Sequence, residues 1–94
     1  MGKLLVVLGL LCTGAFATVD TFEVGWDRPG FDYHSHDMNN PREILCQWAC
    51  QKDSRCRAWT FVKPGIQGPL ARCWLKNRVP AARKNSCCTS GIIQ

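Results

Sequence analysis

Leu45-Cys46-Gln47-Trp48-Ala49-Cys50, then Cys56-Arg57-Ala58-Trp59-Thr60-Phe61, then Arg72-Cys73-Trp74-Leu75-Lys76 together hold four cysteines and three of the chain's four tryptophans. The first stretch follows Asn39-Asn40-Pro41-Arg42-Glu43. There Asn40 suits an N-cap, Pro41 the first helical position, and Glu43 the returning bond of a capping box. This predicts a helix to about Gln51, with Ile44, Leu45, Trp48 and Ala49 as its apolar stripe. The second stretch is β-branched and aromatic and predicts a strand over Ala58 to Val62. Lys63 to Pro69 carries two glycines and two prolines and reads as a loop. The third stretch alternates, as a returning strand does.

Working outward, Thr21 to Val24 predicts a first strand. Trp26 to Gly30 is a turn signal, since proline sets φ and glycine accepts φ > 0. Phe31 to Met38 suits a strand or a loop, and Val79 to Ser86 reads as an irregular basic segment. A helix on one side of a small antiparallel sheet, an α+β domain, accommodates these elements.

The opening residues set the compartment. Lys3 precedes the apolar run Leu4 to Cys12, and Ala15-Phe16-Ala17 resembles a cleavage site. Residues 1–17 are expected to be a signal peptide. The remaining run, 18–94, is expected to be one secreted, soluble, monomeric domain with no stable membrane insertion. It keeps Cys46, Cys50, Cys56, Cys73, Cys87 and Cys88, an even set in a chain too short for a large core. A bridge between Cys46 and Cys50, four apart on a helix, suits disulfide torsions poorly. Cys50 is therefore expected to reach Cys56 beyond the helix end, and Cys46 to reach Cys73, although six cysteines leave other connectivities open. Cys87 and Cys88 are adjacent: they can bond to each other, leave one thiol for another chain, or pair elsewhere.

These residues resemble the PAN/apple domain family. The signature is C-x3-C, then Cys56-Arg57-Ala58-Trp59-Thr60, then Cys73-Trp74-Leu75-Lys76. Gly25 to Tyr33 and Cys87 to Gly91 resemble a secreted PAN subgroup, so the likeness spans about residues 22–92. It implies one helix packed on a curved antiparallel sheet, with Cys46–Cys73 and Cys50–Cys56 bridges. It also implies an adhesive module for protein or carbohydrate. The chain departs from apple domains that join their two ends by a third disulfide, since no cysteine precedes Cys46 in the expected mature chain.

Charge is uneven. Thr18 to Cys50 carries six acids against Arg28 and Arg42, net −4, whereas Gln51 onward carries nine bases against Asp53, net +8. Strand alternation puts Arg72, Trp74, Lys76 and Arg78 on one face and Cys73 and Leu75 on the other. With Arg83 and Lys84 nearby, that face is the candidate ligand-binding surface for an acidic or sulfated glycan, another carbohydrate, or an extracellular protein. The alternative is a small cysteine-rich effector, toxin-like peptide or protease inhibitor acting through the Lys63–Pro69 loop. His34-Ser35-His36 places two imidazoles on one side of a strand, a pattern that binds metal, senses pH or is plain surface. The cysteines lack the paired C-x2-C spacing of zinc knuckles. No metal site and no cofactor are expected. There is no G-x-S-x-G, H-E-x-x-H or phosphate-binding loop, so no catalysis is expected. The secretory leader argues against a nucleic-acid partner.

Overall fold

The computed structural model describes residues 22–93. The expected leader over residues 1–17 and the start of the expected first strand lie outside them. The elements are β1 (Glu23–Asp27), β2 (Asp32–Met38), α1 (Glu43–Gln51), β3 (Ala58–Val62), β4 (Ala71–Lys76) and β5 (Arg83–Ile92). The strands form one five-stranded sheet in the order β1-β5-β3-β4-β2, with every neighbouring pair antiparallel. The helix lies against β3 and β4. This is an α+β, disulfide-rich domain.

Connectivity forces the sheet to curve. Five strands at about 4.8 Å spacing set flat-sheet edges about 19 Å apart. Edge strands β1 and β2 are joined by only Arg28 to Phe31, a reach of about 17 Å from Asp27 to Asp32. The two residues also sit at opposite ends of the strands: Asp32 pairs with Lys76 at the Ala58 end, and Asp27 with Arg83, beyond the Val62 end. A flat sheet cannot satisfy this. The first half of β5 and the end of β1 must therefore bend over the helix-free face. The bend has a site: Val24 pairs with Thr89 but Trp26 with Lys84, so two steps of β1 span five of β5. Gly25, opposite this bulge, has φ +84°, which glycine adopts without a Cβ clash.

Central strand β3 is buried at every position. Its helix-facing residues Trp59 and Phe61 join Leu75, Cys73, Ala71 and Met38 in the main core. Phe22 meets Trp59 edge-on, centroids 5.5 Å apart. Cys46 is joined to Cys73 and Cys50 to Cys56, with Cα separations of 5.5 and 5.2 Å.

Three sequence expectations are corrected. The helix starts at Glu43 with extended Arg42 as its cap residue and no side-chain cap. The Asn40 carbonyl instead accepts the Arg42 N–H across Pro41 at 2.9 Å, a tight turn that delays the helix. Trp48 is not on the buried stripe; it is 53% exposed, while Cys46, Gln47 and Cys50 face inward. The two bridges set this rotation, since residues 46 and 48 point about 200° apart around a helix. Arg83 to Ser86, read as irregular, begins β5, because pairing with β1 supplies hydrogen bonds that the polar sequence does not advertise.

Candidate binding groove

On the helix-free face, the overhang of β1 and β5 and the strap Arg28–Phe31 leave a groove of about 510 Å³. Its floor is Thr60, Trp74 and Lys76 from β3 and β4. One wall is Asp27, Pro29, Gly30 and Asp32, another is Ile66 and Gln67, and Asn85, Cys87 and Cys88 close the β5 side.

Several of the polar groups are held by specific partners. The Trp74 indole N–H donates to Gln67 Oε1 at 2.9 Å, which fixes the ring edge and pins the Lys63–Pro69 loop. Ser90 Oγ donates to the Trp26 carbonyl at 2.7 Å, so the Thr60 hydroxyl is left to donate to Ser90 at 3.1 Å. The strap is anchored by Arg28, whose guanidinium takes both carboxylate oxygens of Glu23 at 2.9 and 2.8 Å and donates to the Pro80 carbonyl. This bidentate bond, more than anything else, raises the Arg28 pKa. At the bulge, Asn85 Oδ1 accepts the Cys87 N–H at 3.0 Å, and Cys87 is joined to Cys88. Adjacent side chains of a regular strand point to opposite faces; the bulge relaxes that alternation there.

The candidate residues named from sequence are distributed as follows. Arg72, Trp74 and Lys76 share the helix-free face, as alternation requires. Lys76, however, is not an exposed base: it is 2% exposed, with its ammonium on Asp32 and the Gly30 carbonyl. The curled strap brings those acceptors over β4 and buries the lysine stem. Arg72 bonds Asp37 at 2.7 Å and Ser35 at 2.7 Å and lies over Trp74, 5.6 Å from the ring centre. Arg78 is beyond the end of β4 and sits over Phe31, so it does not extend the strand face. Arg83 and Lys84 are exposed on the β5 overhang. The continuous basic face expected from sequence is thus broken by Asp32 and Asp37. Sequence reasoning missed Asp27, Asp32 and Thr60, and it singled out the Lys63–Pro69 loop that carries Gln67 only for the effector-like alternative. Only Thr60 had a readable signal, as the alternation partner of Trp59 in a strand pairing with Trp74.

A family profile described as PAN domain matches residues 26–76, more than half of the chain. The chain is a member of the PAN domain family. PAN domains are non-enzymatic modules that bind protein or carbohydrate, and they and disulfide-rich folds like this one are typical of extracellular proteins. No curated protein and no solved structure gives a significant match. The matched segment of this PAN domain runs from Trp26 through Lys76, so it contains the strap and the floor of the groove but not the β5 wall. Among the described residues, no helix is long and apolar enough to cross a membrane.

Proposed function

We propose that this PAN domain is a secreted module that binds carbohydrate in the groove over Trp74. The observation that carries the reading is the half-buried indole on the groove floor, fixed by Gln67 and surrounded by carboxylate, amide and hydroxyl groups. An indole face offers apolar, polarisable surface to the C–H face of a sugar ring, while carboxylates and amides take up sugar hydroxyls. Two of the cations that would have recognised sulfate are engaged, Arg72 by Asp37 and Lys76 by Asp32. The groove instead keeps the Asp27 carboxylate, with Asp32 neutralising Lys76 beside it, which favours neutral over sulfated sugars.

A glycan array with the secreted protein and its Trp74→Ala variant tests this. Binding to neutral glycans is expected, with a loss of roughly 5- to 150-fold in affinity on removal of the ring if sugar stacking contributes about the 1–3 kcal/mol of base–aromatic stacking. The variant that changes Arg78, Arg83 and Lys84 to Glu is expected to leave array binding intact. If that variant instead abolishes retention on heparin and the array is silent, the ligand is sulfated and the seat is the basic overhang.

A protein ligand has one observation in its favour. Val24 and Trp26 on edge strand β1 are 70% and 39% exposed and line a cleft of about 350 Å³ with Phe22 and Ala82. Val24→Ser with unchanged carbohydrate binding but lost partner capture would separate that surface from the groove.

A further inference from the structure

His34 and His36 have no role in the groove. They lie on the helix side of the sheet, opposite Leu75 and Cys73, while Ser35 and Asp37 point to the other side with Trp74 and Arg72. Because β2 is an edge strand, the pair borders open solvent. His34 is exposed and His36 half-buried. Their ring centres are 5.5 Å apart with planes inclined by 35°.

That spacing has a chemical meaning. Zinc sits about 2.0–2.1 Å from a histidine nitrogen, and the ring centre lies about 1.1 Å further along the same line, so two histidines at a tetrahedral angle have centres about 5.2 Å apart. Two cis ligands of a square-planar ion would need about 4.5 Å. We infer that His34 and His36 form a two-histidine chelating site for Zn²⁺ on the open edge of the sheet.

Supporting conditions are met around the pair. No side chain among the described residues takes up either ring in a hydrogen bond, so ring nitrogens are available to a metal. Neutral imidazole is the form that ligates. Arg72, on the neighbouring strand, is engaged by Asp37 at 2.7 Å. No group of three or more metal-ligating side chains occurs among the described residues. Two protein ligands are fewer than the three that hold a catalytic zinc, so the remaining positions fall to water or to donors on a bound partner and the ion should exchange readily.

Calorimetric titration of the oxidised, folded chain with zinc chloride tests the inference. At about pH 7.5 one zinc ion per chain is expected. His34→Asn and His36→Asn should each weaken binding by at least about tenfold, with thermal midpoints reporting that both variants fold. Absence of zinc uptake at millimolar concentration, or native-like uptake by the doubly substituted chain, overturns the inference. Glycan binding is not involved in either outcome.

Discussion

Gly91 shows how one hydrogen atom can hold a core together. It pairs with Trp59 across the β5–β3 ladder, and a Cβ there would stand 2.5 Å from the indole. Trp59 is fully buried, so the ring has nowhere to go. Gly91→Ala should cost about 1–3 kcal/mol by overpacking, read as a lower urea midpoint with an unchanged slope. Lys76 makes the opposite point. Its ammonium is out of water and depends on Asp32, which is itself a third exposed. Asp32→Ala strands that charge and should destabilise by about 1–3 kcal/mol, and the same change removes a groove carboxylate. Reduced stability together with weakened glycan binding is the expected pair of outcomes; a fully stable variant would mean that Lys76 finds another acceptor.

Among the elements, the helix depends most on covalent help. It is nine residues long, below the length at which helices persist alone in water. The Cys46–Cys73 bridge closes 27 residues and Cys50–Cys56 closes 6. In the loop-entropy account these contribute roughly 3.5 and 2.2 kcal/mol. Replacing Cys46 and Cys73 by serine should therefore lower the denaturant midpoint more than replacing Cys50 and Cys56. Replacing Cys87 and Cys88 should lower it least, since a bridge between neighbours closes no loop and joins no two elements. Trp48, turned to solvent by these bridges, should tolerate serine within about 0.5 kcal/mol. The helix itself was legible from Pro41, Glu43 and the cysteine spacing, but its rotation was not: an apolar stripe through Trp48 and one through Cys46 and Gln47 compete, and only the partner cysteine on β4 decides between them.

For the molecule as a whole, three titrating groups set the pH range of stability. Asp53 is held well below the usual carboxylate range by the Arg55 side chain and then its backbone N–H. His36 is also lowered, and Tyr33 is pushed up to about 12, chiefly by burial and then by Asp53. The unfolded chain takes up the His36 proton first as pH falls below about 6.5, so stability should decline there and again where Asp53 protonates, below about 4. For Tyr33 the unfolded phenol ionises first, so stability should decline as pH rises from about 10 toward 12. Urea midpoints against pH should show a plateau between those limits; a midpoint still climbing below pH 6 would contradict the His36 assignment. Composition and local pattern alone determined the helix, the central strands and the cross-links of this PAN domain, though not the first half of β5: Ala58 to Val62 reads as a strand because β-branched and aromatic residues suit the pleat, and the cysteine set announces cross-links that a short chain needs. The groove was decided elsewhere. A four-residue strap between opposite edges curls the sheet, places Asp27 and Asp32 above Trp74, and turns Lys76 from a surface base into a buried one. Those contacts join residues far apart in the chain, such as Arg28 and Pro80, and no local preference encodes them. They exist because backbone reach and strand pairing must be satisfied at the same time.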